Sequence, residues 1–215
     1  MDLTSVNLGQ ERILQRKDRI ERTGIFKFPT QEAVKVTKLG LDGDVIISKK
    51  HHGGPDQAIY VYSAADYDWW SRELGMEIAP GTFGENLTVS DLESAQFNIG
   101  DYIHVDDVTL QVTAPRIPCG TFATRMNDPG WVKRFRDAER PGLYCRVIQE
   151  GFVQTGDPVS IESYTGETIS ILEMFRDYYE KDKTEESLRR HLRAPIAIRA
   201  RRDLEKELQK LLSQA

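Results

Sequence analysis

"YIHVDDVTLQVT", residues 102–113, constrains the fold more than any other stretch. Ile103, Val105, Val108, Leu110 and Val112 share one face of two strands across a tight Asp106-Asp107 turn. His104, Thr109 and Gln111 take the other face. The pattern predicts an antiparallel hairpin with one side buried. "LGLDGDVI" supplies another glycine-containing turn, and "DQAIYVYS" and "GLYCRVIQ" read as further strands. In the last of these Leu143, Cys145 and Val147 share a face, which makes Cys145 a core residue. Many short strands with few helices predict a closed or nearly closed β-barrel, and so a mainly β fold.

Two helical insertions interrupt the strands. "SAADYDWWSREL" begins with Ser63 and carries Asp66 three residues on, a capping-box pattern. "DPGWVKRFRDA" offers Asp128 as N-cap, Pro129 at the first helical position, and Trp131 and Phe135 four residues apart. Beyond "SYTGE" the period becomes helical. Leu172, Phe175 and Tyr179 form one stripe, Leu188 and Leu192 a second, and Leu204, Leu208 and Leu211 a third, with Pro195 opening the last helix. The expected layout is a β-rich domain over residues 1–165 and a three-helix extension over 166–215. The six arginines around Pro195 read as solvated helix faces whose apolar stripes pack together and against the barrel.

With 215 residues the chain can bury a real core. Its net charge of −5 argues against general nucleic-acid binding, so no nucleic-acid polymer is expected as a partner. No run of about 18 apolar residues appears, and the N-terminal stretch lacks a secretory apolar core. A cytoplasmic protein without membrane contact is expected, and a homodimer is compatible with the chain. Two cysteines are too few for a disulfide framework and form no C-x-x-C, so thiols are expected.

Four stretches depart from ordinary strand and turn sequence: "TGIFKFP" with Lys27, "HHGGPDQA" over residues 51–58, "GTFGENL" over 81–87, and "APRIPCGTFA" over 114–123. Each sets Gly or Pro beside polar side chains, which suits backbone approaching a ligand. In the last, Pro115 and Pro118 fix φ and push Ala114 and Ile117 into extended conformations, so Cys119 is held stiffly. The "GTFATRM" that follows opens a short helix, whose N–H groups favour a thiolate.

In this order, "HGGPDQA", "GTFGENL" and "PRIPC" resemble the motifs of the MOSC family, the domain related to the C-terminal part of molybdenum-cofactor sulfurases. The match is to the stand-alone bacterial subgroup associated with detoxification of 6-N-hydroxylaminopurine, whose C-terminal three-helix extension the tail also resembles. The one departure is Thr30, where the family's first loop has a valine.

The resemblance implies a MOSC-type β-barrel that binds molybdenum cofactor (molybdopterin), with Cys119 as protein ligand to the metal. A soft thiolate suits such a site. Lys27, near the Thr23-Gly24 turn, and Arg116 are the cations that the resemblance sets against the cofactor's phosphate. Gly53, Gly54 and His51 fall among its cofactor-binding positions. His51 and His52 cannot both face one way on an extended segment, and the alignment favours His52 as the proton donor in the cleft. Asn86 and Glu85 orient a pterin or cap a turn. Asp44 and Asp56 read as turn formers. The implied reaction is reduction of a small N-hydroxylated substrate with electrons from a separate reductase, since the chain shows no ferredoxin cluster or dinucleotide fingerprint. A cysteine-based sulfur carrier and a cofactor storage or delivery module are the competing readings.

Overall fold

The computed structural model describes residues 1–16, 19–47 and 53–214. It begins with a long hairpin, β1 (Leu3–Arg16) and β2 (Arg19–Thr30), followed by the short strands β3 (Val34–Thr37) and β4 (Gly40–Leu41). A 3₁₀ turn at Pro55–Gln57 leads into β5 (Ile59–Ser63), α1 (Ala64–Leu74) and β6 (Leu87–Val89). The predicted hairpin follows as β7 (Tyr102–Val105) and β8 (Val108–Pro115). Ile103, Val105, Val108, Leu110 and Val112 are all fully buried, and Asp106 takes up the turn at φ 48°. Next come α2 (Gly120–Arg125), α3 (Trp131–Ala138), β9 (Leu143–Gln149), β10 (Gly151–Val153) and β11 (Val159–Glu162). The tail carries α4 (Ile171–Asp177), α5 (Glu185–Arg193) and α6 (Ile198–Leu212).

Eight strands form one sheet in the order β11-β7-β8-β9-β5-β6-β1-β2, and β10-β3-β4 form a second. The mainly β class holds, but the sheet is not a closed barrel. β11 and β2 end it, and its two sides meet where the start of β1 reaches the chain before β11. There Leu3 N–H donates to the Asp157 carbonyl and Val159 N–H to that of Met1, beside an Asp2–Pro158 bridge. β5 and β6 pair in parallel, which requires a crossover. α1 provides it, with Ser63 Oγ accepting from Asp66 N–H as the capping pattern predicts and Gly75 closing the helix in the left-handed region.

The sheet's inner face makes one apolar core, to which Ile169, Ile171, Ala194 and Ile196 of the tail contribute. An aromatic cluster of Trp70, Phe83, Phe122, Trp131 and Phe135 lies beside it, among α1, α2 and α3.

Three helix details differ from the sequence pattern. α3 starts at Trp131, not at Pro129. Asp128 still serves the start, accepting from Gly130 N–H at 2.8 Å. In α4 the buried stripe is Ile171 and Phe175, with Leu172 half-buried. Pro195 does not open the last helix; it stands in an extended segment, where Ala197 N–H donates to Thr113 O, and α6 begins at Ile198. No described helix is long and apolar enough to cross a membrane.

Candidate functional site

The cysteine loop is a stiff bridge from β8 to α2. Pro115 ends β8 in register with Leu143, and Cys119 stands at the N-cap of α2 with extended backbone (φ −129°, ψ 170°). Phe122, one turn on, anchors the loop. Its buried ring lies 5.4 Å from those of Phe83 and Trp131 and 5.2 Å from that of Phe135. Arg116 is 3% exposed; its Nη1 donates to the Phe83 carbonyl. The guanidinium lies 4.0 Å from the Phe122 ring centroid and 5.0 Å from that of Tyr60. Its Nε is buried without a hydrogen-bond partner.

The opposite wall depends on missing side chains. A Cβ on Gly24 would lie 1.8 Å from the Val45 carbonyl oxygen, and one on Gly9 would lie 2.7 Å from that of Gly24. The two glycines thus let the segment 44–46 lie flat on the first hairpin. That contact delivers the Asp44 carboxylate to Lys27 Nζ, at 2.6 and 2.5 Å. Asp44 also accepts from Gly9 N–H at 2.6 Å and from Asn86 Nδ2 at 2.9 Å. Both members of the ion pair are buried. Burial lowers the Lys27 pKa from its ordinary value, against the pull of Asp44.

"GTFGENL" divides its labour. Glu85 is wholly buried and ties the turn together, accepting from Gly81 N–H, Thr88 Oγ1 and Tyr67 Oη. Burial raises its pKa. Asn86 faces the cleft and joins β5 to Asp44, its Oδ1 accepting from Tyr60 N–H at 3.1 Å.

Thr23, Lys27, Gly53, Asn86, Arg116 and Cys119, singled out across almost a hundred residues of sequence, line one cleft of about 610 Å³. Thr23 Oγ1 turns inward to Ile25 N–H, at 3.1 Å. Gly54 is separated from the group. It lines a neighbouring cavity of about 230 Å³ with Arg199, Arg202 and Lys206. Both glycines of this pair have positive φ, 98° at Gly53 and 89° at Gly54. His51 and His52 lie outside the described residues.

Two aspartates read as turn formers do other work: Asp44 is the buried partner of Lys27, and Asp56 accepts from Ile198 N–H at the start of α6. Among the other wall residues, Tyr60, Tyr144, Ile46 and Ile117 carry no signal beyond their strand or loop pattern. Thr121 Oγ1 donates to Glu21 Oε1 across the mouth at 2.7 Å, joining α2 to the hairpin.

The two cysteines differ in setting. Cys119 is half-buried on the cleft, whereas Cys145 is fully buried on β9, between β5 and β8 in the sheet, where desolvation pushes its thiol pKa well up. Iodoacetamide should therefore modify Cys119 in the native protein and leave Cys145 intact until the chain unfolds. Peptide mapping by mass spectrometry checks this, and early labelling of Cys145 would contradict it.

Compared with known proteins, the sequence matches the family model for the MOSC domain over residues 48–160. It is 34% identical over 167 residues to the uncharacterized protein YflK of Bacillus subtilis, covering 78% of this chain and 76% of that one. It is 30% identical to protein YiiM of Escherichia coli, over 66% of this chain and 64% of the relative. A protein named reductase from Gibberella moniliformis shares 32% identity over 65% of this chain, which spans only 25% of that longer protein. Among solved structures, YiiM from Geobacillus stearothermophilus superimposes with a TM-score of 0.79 at 25% identity, covering 96% of this chain and 98% of its own.

Proposed function

The chain belongs to the MOSC-domain family, and on that premise we propose that its cleft binds molybdenum cofactor and serves the reduction of small N-hydroxylated compounds. The observation that carries the reading is the convergence of Cys119, Arg116, Asn86, Lys27, Thr23 and Gly53 on one cleft. The residues fit such a group chemically. A half-buried thiol suits a soft metal. The buried Nε of Arg116, which makes no hydrogen bond, is a donor suited to an anion. When bound, the cofactor supplies two-electron removal of oxygen, which protein side chains do not perform well.

The chain's own residues hold and orient. Cys119 provides the thiolate, fixed by the two prolines and by Phe122. Arg116 takes the phosphate, because its cation is held by aromatic faces. Lys27 is already neutralised by Asp44, so its part is to fix the cleft wall and, through Asp44, the amide of Asn86. His52, with His51 beside it, remains the proposed proton donor. Electrons come from a separate reductase, and the site of action is cytoplasmic. Residues 1–165 form the functional unit of this proposal and 166–215 its extension.

Metal and pterin analysis of protein purified from a cofactor-competent host tests the premise. Near-stoichiometric molybdenum with turnover of 6-N-hydroxylaminopurine is the expected result. Molybdenum without turnover would favour a delivery module, and a labile sulfane sulfur a sulfur carrier. Absence of both molybdenum and pterin would overturn the proposal.

A further inference from the structure

Outside the cleft, α4 and α5 bring three metal-ligating side chains together. Glu173 and Asp177 stand one turn apart on α4, His191 comes from α5, and one donor atom from each lies within 4.8 Å of the others. Carboxylates near a helix surface are ordinary; the histidine here is not. His191 is 3% exposed, and its Nδ1 is 2.9 Å from the Ser187 carbonyl oxygen. A carbonyl only accepts, so Nδ1–H donates there, and Nε2 is the ring atom left to face the carboxylates.

Nε2 is buried and makes no hydrogen bond, although Asp177 Oδ2 is 3.2 Å away. Nε2 and Oδ2 at that distance call for a positive species between them, either a second ring proton that makes them an ion pair or a metal ion. The contact is not aligned as a hydrogen bond. Donors placed side by side are instead what two ligands of one ion present: tetrahedral bonds of about 2.0 Å separate them by roughly 3.3 Å.

We propose that Glu173, Asp177 and His191 form a binding site for a divalent transition ion of the zinc type. The surroundings suit it. A backbone carbonyl on Nδ1–H is the usual orienting contact of a ligating histidine, and Ser187 Oγ donates to Asp177 Oδ2 at 3.3 Å. Glu173 Oε2 also accepts from Arg190 Nη2 at 3.0 Å, so the glutamate is shared between an arginine and the ion, which lowers affinity. One imidazole and two carboxylates favour Zn²⁺ or Co²⁺ over Mg²⁺, which prefers oxygen donors alone. Asp177 and His191 line a cavity of about 240 Å³ that shares Gln57, Ile117 and Tyr178 with the cysteine cleft. An ion there clamps α4 to α5 and fixes Tyr178 at the rim of that cleft.

The test uses untagged, chelator-stripped full-length protein, titrated calorimetrically with Zn²⁺ and followed by visible absorption with Co²⁺. The expected result is one ion per chain at this site in both wild type and Cys119→Ala, with no comparable uptake of Mg²⁺. Asp177→Asn and His191→Gln should each weaken Zn²⁺ binding more than about tenfold and abolish the rise in Tm that Zn²⁺ gives the wild type. His191 is buried, so His191→Gln carries a folding risk; Asp177→Asn keeps the side-chain shape and decides alone if the other variant does not fold. Unchanged Zn²⁺ affinity in Asp177→Asn, or loss of binding in Cys119→Ala only, would overturn the proposal.

Discussion

Cys119→Ala should lower reduction of an N-hydroxylated substrate more than about 100-fold, beyond what loss of an outer-shell contact to a metal costs. Molybdenum content should fall with it. The fold should survive, because the loop is held by Pro115, Pro118 and the buried Phe122 and not by the thiol. Cys145→Ala is the control. Its sulfur packs in the central core, so that variant should lose about 1 kcal/mol of stability and keep its activity. Denaturant unfolding, metal analysis and turnover on the two variants check this. The reverse pattern would mean that Cys145 carries the chemistry.

The largest effect on stability is expected from Asp44→Ala. The substitution leaves the Lys27 ammonium, the Gly9 N–H and the Asn86 amide without their shared acceptor in a buried place. Breaking a buried pair from one side costs about 3–5 kcal/mol. The double variant Lys27→Met/Asp44→Ala should recover the part of that loss that comes from the unpaired ammonium, since an apolar side chain needs no counter-charge, and leave the part that comes from Gly9 N–H and the Asn86 amide. Lys27 also gives the stability curve a direction. Its folded pKa lies below the ordinary 10.5 because burial disfavours the charge. In the window just below 10.5 the unfolded chain therefore holds a proton that the folded chain has released, and the Lys27 contribution to stability rises with pH, against the fall contributed by Cys145 and the buried tyrosines, whose folded pKa values are raised. Removing Asp44 should steepen that rise. The difference between unfolding curves of the wild type and Lys27→Met, from neutral to alkaline pH, isolates it, and a difference independent of pH would show that Lys27 is not desolvated as described.

What could be read from the sequence was whatever has a local cause. The hairpin at 102–113 repeats every second residue and has a two-residue turn; the cap of α1 needs only Ser63 and Asp66. The cleft residues were marked by Gly and Pro beside polar side chains, a local sign of backbone under constraint. The first hairpin was not legible. Ile13 and Ile20 are about 70% exposed, so this arm extends beyond the core and lacks the buried face that creates alternation. Asp44 was misread for a different reason: its partner is 17 residues away, brought to it by the fit of 44–46 onto Gly9 and Gly24. Openness of the sheet was equally hidden, because whether two edges meet is decided by backbone register and not by side-chain pattern.

The junction of Leu3 with Asp157 and of Val159 with Met1 bears on how the chain is made. Synthesis at about 5–20 residues per second puts roughly 8–30 s between the two halves of that contact. Over that interval Leu3, which ends fully buried, pairs with β6 on one side but lacks its contacts with Gly156 and Asp157 on the other. Contacts so distant in sequence also slow folding after release, since a long loop must close before they form. The nascent chain therefore waits with the Leu3 end of that edge unpaired. That edge is where a ribosome-associated chaperone would be needed most, and where slowed translation of the later strands would be punished by aggregation.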